Sequence, residues 1–183
     1  MTVETTTEAP PSPVLAPEAY LIWHQTRGPQ PLQVPIAVIG PREVDPALLA
    51  LAEEVGALIG RSGLVLICGG RSGVMEAAAR GASRAGGLTV GVLPGDDPAS
   101  ANPYIAVPIA TGLGEMRNAV IARAAYCLVA IGNSNGTLSE IALGLRFDKP
   151  VYGLAGAAEV EGVIQLGGVD DLARALAGLL AAA

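Results

Sequence analysis

Aromatic and histidine side chains are scarce in this 183-residue chain. Phe, Trp and Tyr together make up 3% of it, whereas apolar residues of all kinds make up 51%. The core must therefore be built from Ala, Val, Leu and Ile, a composition typical of parallel sheets covered on both faces. The one histidine, His24, lies in the N-terminal segment, so catalysis by histidine is not expected. The length corresponds to one domain.

Basic charge, long apolar runs and metal-binding clusters are lacking as well. The net charge of -6 argues against a nucleic-acid binder, which normally carries a basic face. No apolar run reaches the roughly 20 residues that cross a bilayer, and the acidic, Pro-rich start is unlike a secretory signal. Cys68 and Cys127 lie in apolar runs without metal-ligand spacing, so we expect them buried and reduced, and we expect no metal site. These features predict a cytoplasmic protein.

The first 33 residues differ from the rest in composition. Residues 2–13 are rich in Thr, Pro and Glu and cannot form a core element. The apolar island at residues 20–24 is a candidate for docking on the body or on a neighbouring subunit. We therefore predict a disordered or loosely docked tail over residues 1–33 and a single folded domain over residues 34–183.

Apolar strand-like runs alternate with helical stretches from residue 34 onward. The predicted strands are 35–39, 64–68, 89–93, 105–109, 126–131 and 151–154, and the predicted helices are 45–60, 71–86, 115–124, 135–146 and 170–180. This alternation predicts βαβ units and an α/β fold, a doubly wound parallel sheet with helices on both faces. Ligands of such sheets bind beyond the carboxyl ends of the strands, where the strand order reverses.

Two glycine-rich turns follow strands at that edge. The first is Gly69-Gly70-Arg71-Ser72-Gly73, and the second is Gly132-Asn133-Ser134-Asn135-Gly136-Thr137. Each leads from a strand into a helix, so its backbone N–H groups can cradle a phosphate or another oxyanion. Each turn is also compatible with a purely structural role, as a tight connection that packs a helix on the sheet. The presence of two such turns favours a nucleotide-sized ligand.

Glu140 and Arg117 are the charged side chains placed nearest to these turns. Thr137 and Glu140 fit a capping box, which would give Glu140 a structural role. Alternatively, a sheet-facing stripe of Leu138, Ile141, Ala142 and Leu145 would turn Glu140 towards the mouth of the cradle. Arg117 lies in the first turn of a helix, where a cation is unfavourable, so it is a candidate for gripping an anionic ligand. Arg42, after the first strand, is a candidate for the edge of the site.

Three stretches, in this order, resemble the LOG-like Rossmann superfamily, once labelled lysine decarboxylase-like. They are Gly69-Gly70-x-x-Gly73-x-Met75, the stretch that ends in Arg117-Asn118, and Gly136-Thr137-x-x-Glu140. The resemblance covers about residues 35–154 and is closer to the short bacterial branch, which includes the molybdenum cofactor carrier proteins.

The resemblance implies two functions. In the carrier branch, the protein would bind a phosphorylated pterin, such as molybdenum cofactor, or an oxyanion without turning it over. In the cytokinin-activating branch, it would be a nucleoside 5′-monophosphate phosphoribohydrolase, an N-glycosidase in which Arg117 and Glu140 are catalytic. Asn133 and Ser134 stand where that branch has glycines, which favours the carrier. The resemblance also implies a homodimer or a higher homo-oligomer.

We predict that residues 34–183 form a single nucleotide-binding Rossmann-like domain with one ligand site and no required cofactor. The candidate ligand is bound molybdenum cofactor or a nucleotide monophosphate. A dehydrogenase-type dinucleotide site, with Asp96-Asp97 at the ribose, is a weaker alternative because the glycine spacing differs. The predicted ligand-binding residues are Gly69, Gly70, Ser72, Gly73, Met75, Arg117, Asn118, Asn133, Ser134, Asn135, Gly136 and Thr137.

Overall fold

This computed structural model describes residues 9–27 and 34–182 of the chain. These ranges contain seven strands and six α-helices. The strands are β1 (Pro35–Ile39), β2 (Val65–Cys68), β3 (Thr89–Leu93), β4 (Val107–Ala110), β5 (Cys127–Ile131), β6 (Val151–Leu154) and β7 (Val163–Gln165). The helices are α1 (Pro17–Arg27), α2 (Pro46–Arg61), α3 (Val74–Arg84), α4 (Arg117–Ala124), α5 (Asn135–Arg146) and α6 (Val169–Ala181). Short 3₁₀ turns cover Pro98–Ser100 and Gly114–Met116.

The strands form one parallel sheet in the order β4-β3-β2-β1-β5-β6-β7. From β1 the chain builds outward to β4, then returns to the other side of β1 with β5. The strand order therefore reverses between β1 and β5. This topology confirms the predicted α/β, Rossmann-like doubly wound sheet.

The central strands are apolar throughout because both faces of the sheet are covered. Successive side chains of β1 enter two different cores, since strand residues alternate between faces. Ile36 and Val38 join the core under α1, α2, α3 and α6, whereas Ala37 and Ile39 join the core under α4 and α5. The prediction of helices on both faces is thus confirmed.

Three element boundaries differ from the sequence prediction for local reasons. Helix α3 begins at Val74 instead of residue 71 because Gly73, its N-cap, has a positive φ of 72° that interrupts the helix. Helix α4 is shorter than predicted because residues 114–116 form a 3₁₀ turn. The strand predicted at 105–109 begins two residues later, at Val107, where β4 pairs with β3. Helix α1 and strand β7 were not predicted.

Helix α1 packs against α6 on the main body. Its Leu21 is fully buried, and Glu18 accepts two hydrogen bonds from Arg61, at 2.8 and 2.7 Å. Gln25 Oε1 accepts a hydrogen bond from the Val34 amide at 2.9 Å. The apolar island of residues 20–24 belongs to this helix. Much of the predicted tail, residues 1–8 and 28–33, lies outside the described residues, so the division at residue 33 stays a prediction.

Within the described ranges, no helix has the length and apolar character needed to cross a membrane. Cys68 and Cys127 are free and buried there. Burial raises the pKa of each thiol to about 12, so both are neutral. In the same ranges, no group of three or more His, Cys, Asp and Glu side chains is arranged to hold a metal ion.

Candidate functional site

A cleft of about 510 Å³ opens at the carboxyl edge of the sheet, where the strand order reverses. One wall is the loop that follows β1, residues 40–42. The opposite wall is made by the first turns of α4 and α5. The cleft lies at the position that the parallel topology predicts for a ligand.

The N-terminus of α5 faces this cleft with unsatisfied amides. Ser134 is the N-cap: its Oγ accepts a hydrogen bond from the Thr137 amide at 3.1 Å and lies 2.8 Å from Thr137 Oγ1. The amides of Asn135 and Gly136 make no hydrogen bond to another atom of the described chain. Because the helix dipole also places positive potential here, this turn can hold an oxyanion.

The predicted capping box is wrong, because Ser134 takes the capping role assigned to Thr137 and Glu140 pairs with Arg117 instead. The predicted sheet-facing stripe of α5 is also wrong in part. Leu138 is 41% exposed and Ala142 is exposed, whereas Thr137 and Glu140 are buried. Helix α5 packs against α4 as well as against the sheet, and this second contact shifts its buried face.

Arg117 is buried beside the cleft, with 4% of its surface exposed. Its Nη1 donates hydrogen bonds to Asn118 Oδ1 and, at 3.2 Å, to Glu140 Oε1. A Cβ atom added to Gly69 would lie 2.6 Å from Arg117 Nη2, so the guanidinium packs directly over this glycine. Its Nε is buried and makes no hydrogen bond to any described residue. An unpaired buried donor is costly, which indicates that a ligand atom can complete the site.

Glu140 is the other buried charged group of the cleft, with 6% of its surface exposed. The pKa of its carboxyl is raised to about 7: burial is the main cause, Arg117 opposes it, and the nearby Glu115 charge adds a smaller increase. Glu115 itself is exposed at the mouth and lies 3.6 Å from Arg42. The site thus combines a fixed cation with an acid that is only partly ionised at neutral pH.

A series of polar side chains connects Arg117 to the N-terminal turn of α5. Asn118 accepts from Arg117, and its Nδ2 donates to Ser139 Oγ at 3.0 Å. Ser139 Oγ in turn donates to the Gly136 carbonyl at 2.7 Å. Because this series of hydrogen bonds runs from α4 to α5, it fixes the position of Arg117 relative to the free amides of α5.

The cleft brings together most of the residues predicted from the second turn and from the arginine, with Met75 from the first glycine-rich stretch. These are Met75, Arg117, Asn118, Ser134, Asn135, Gly136, Thr137 and Glu140. The first glycine turn does not line the cleft. Gly69 packs against the guanidinium of Arg117, and the Gly70 amide donates a hydrogen bond to Cys68 Sγ at 3.3 Å. Gly73 lies against the Arg42 backbone and lines a neighbouring cleft. Gly69, Gly70, Ser72, Gly73 and Asn133 are not among the residues that line the cleft, and contact with a ligand stays a prediction for every residue of the predicted set.

Sequence reasoning missed or undervalued one wall of the cleft. Gly40, Pro41 and Arg42 line that wall; Glu115 and Ser139, which line the opposite wall, were missed as well. The loop after β1 could have been found, because the first strand of a doubly wound sheet ends at the point where the order reverses. Ser139 gives no such signal, since its role depends on how α4 packs against α5.

A family model described as the SLOG cluster4 family matches residues 33–173. The chain belongs to the SLOG cluster4 family. This membership, together with the solved structures below, confirms the LOG-like resemblance. A protein of Archaeoglobus fulgidus with no described function is 41% identical over 128 residues, which is 70% of this SLOG cluster4 chain and 84% of that protein.

Two solved structures resemble this SLOG cluster4 protein closely. The molybdenum cofactor binding protein of Rippkaea orientalis is 32% identical, with a TM-score of 0.78, over 82% of this chain and 99% of that one. The molybdenum cofactor carrier protein of Chlamydomonas reinhardtii is 37% identical, with a TM-score of 0.76, over the same shares of the two chains. Both likenesses extend over nearly the whole of the solved chains.

Proposed function

We propose that this SLOG cluster4 protein is a binding or carrier protein for a phosphorylated small molecule, with a pterin of the molybdenum cofactor type as its cargo. The observation that carries the proposal is the convergence of two kinds of donor on one cleft. The free amides of Asn135 and Gly136 meet the buried guanidinium of Arg117 there. Such a set of donors suits a phosphate group.

The other wall of the cleft suits the non-phosphate part of such a ligand. Pro41 and Met75 supply apolar surface opposite the polar turn of α5. A flat heterocycle can pack on a thioether and a proline ring while its phosphate lies at the helix N-terminus. The carrier role also accords with the Rippkaea and Chlamydomonas relatives, which are described as molybdenum cofactor binding and carrier proteins.

The alternative of a nucleoside 5′-monophosphate phosphoribohydrolase is not favoured by those relatives. We therefore propose binding without turnover.

The proposal is tested by identifying what the purified full-length chain retains and binds. We expect oxidised extracts of the protein to show pterin fluorescence, and calorimetry to detect binding of 5′-AMP, molybdate or inorganic phosphate. Absence of pterin together with absence of binding to all three probes would overturn the proposal. Free adenine accumulating from 5′-AMP at a catalytic rate would instead support the hydrolase.

A charge change at the exposed Asn135 sharpens this test. Asn135→Asp places a carboxylate among the free amides of α5, where it suits the helix dipole but repels an anion. We expect at least about tenfold weaker binding with no loss of folding. Gly95→Asp is the matched control, because it adds the same charge on an open loop residue outside the cleft. Equal affinities for the two variants would contradict the assignment of the phosphate to α5.

A further inference from the structure

Glu140 occupies a position at which it competes with an anionic ligand. Its Oε1 lies 3.2 Å from Arg117 Nη1, and both side chains line the cleft and are buried. The ligand anion proposed above would seek the same guanidinium. A carboxylate and a phosphate cannot both be held there without strong repulsion in a poorly solvated site.

The groups around Glu140 offer no second cation to compensate for that repulsion. On α4, Arg117 faces Glu140, and on the adjacent 3₁₀ turn, the negative charge of Glu115 repels the Glu140 carboxylate. The nearby Arg42 is exposed and already lies 3.6 Å from Glu115. Cys68, on the strand beneath, carries a neutral thiol because its pKa is raised to about 12. On α5 itself, the other charged residue is Arg146, at the far end of the helix.

We propose that Glu140 takes up one proton from solvent when the cleft binds the anionic group of its ligand. The neutral carboxyl then no longer forms an ion pair with Arg117, and its O–H becomes a hydrogen-bond donor inside the cleft. Glu140 would thereby favour anions that can accept this extra hydrogen bond. This inference rests on the proposed function, since it concerns the same anion site.

The electrostatics of the free protein support this coupling. Burial already raises the pKa of Glu140 to about 7, so protonation at neutral pH costs little. An anion bound next to the carboxyl disfavours its charged form and raises the pKa further. The complex then binds more protons than the free protein above pH 7. Affinity must accordingly fall as the pH rises, approaching about tenfold per pH unit.

Calorimetric titration of the full-length chain with 5′-AMP tests the inference. Measurements at pH 8 in buffers of different ionisation enthalpy give the number of protons taken up. The phosphate of AMP is already a dianion there, because its second pKa is about 6, and it adds little to the count. We expect uptake approaching about one proton and a Kd that rises up to about tenfold between pH 8 and pH 9.

Glu140→Gln and a matched variant locate the effect. The amide is neutral at every pH, so we expect Glu140→Gln to bind AMP without proton uptake and with little change in Kd between pH 8 and pH 9. Glu161→Gln makes the same chemical change at an exposed residue outside the cleft and should behave like the wild type.

The outcomes separate the two proposals. Binding of AMP by the wild type without proton uptake, or equal uptake by Glu140→Gln, overturns the role of Glu140 and leaves the carrier function intact. If the wild type retains no pterin and binds none of AMP, molybdate and inorganic phosphate at any pH, the anion site itself is absent, and the proposed function fails together with the inference.

Discussion

At the scale of single residues, the site depends on how Arg117 is held. Its guanidinium is enclosed by Gly69 behind it and by Asn118 and Glu140 beside it. An arginine immobilised in this way has already lost its rotamer freedom, so a ligand does not have to order it on binding. The first glycine turn therefore matters for the site even though it does not line the cleft.

Gly69→Ala tests this support. The added Cβ would lie 2.6 Å from Arg117 Nη2 and 2.8 Å from Met75 Sδ, so both side chains must move. We expect a loss of about 1–3 kcal/mol in the free energy of unfolding. We also expect at least about tenfold weaker binding of 5′-AMP, measured by calorimetry.

Gly95→Ala is the matched control for this prediction. A Cβ at Gly95 meets nothing within 4 Å, and its φ is outside the left-handed region, so stability and binding should stay close to those of the wild type. Unchanged AMP affinity in Gly69→Ala would show that Arg117 does not need the glycine behind it.

At the scale of elements, α5 is both a structural helix and one side of the site. Its N-cap, Ser134, satisfies the Thr137 amide and leaves the two preceding amides to a ligand. The chain from Asn118 through Ser139 to the Gly136 carbonyl then connects this turn to α4. The proposed anion site is thus formed by the pair of helices, not by either helix alone.

Ser134→Ala separates the structural role of the cap from its role in binding. Loss of an N-cap hydroxyl costs about 1 kcal/mol of stability. Asp45 caps α2 in the same way, accepting from the Leu48 amide at 2.8 Å, but it does not line the cleft. We expect Ser134→Ala and Asp45→Ala to lose similar free energies of unfolding in denaturant titrations, while only Ser134→Ala binds AMP more weakly. Equal affinities in the two variants would count against a binding role for this turn.

At the scale of the whole molecule, α1 (Pro17–Arg27) packs as part of the folded body. The helix contacts α6, and its ion pair with Arg61 ties it to α2. The main contribution is burial of Leu21, because an exposed ion pair adds little stability. The expected homodimer or higher homo-oligomer stays a prediction.

Leu21→Ala should destabilise the protein by about 2–5 kcal/mol, the range for removing a buried leucine side chain. Ile22→Ala removes the neighbouring apolar side chain, which is 44% exposed, and should cost much less. Thermal unfolding of both variants measures the difference. Equal midpoints for the two variants would mean that α1 does not unfold together with the body.

Much of the fold follows from the sequence because its signals are local. The apolar runs that became β1, β5 and β6 are bounded by turns, and the helical stretches between them dictate parallel pairing. The position of the ligand site follows from the same topology, since every parallel strand ends at one edge. The sequence pattern predicts Gly136-Thr137 and Arg117 at that edge, and the cleft contains them.

Only the tertiary structure decided how those residues are used. Glu140 could cap its own helix or face the site, and the packing of α4 against α5 settled this by burying it beside Arg117. Ser139 and the loop at Pro41 enter the cleft through contacts between elements far apart in the chain. Local sequence patterns determine which segments become strands and helices, but burial and pairing of charges depend on long-range packing, which those patterns do not encode.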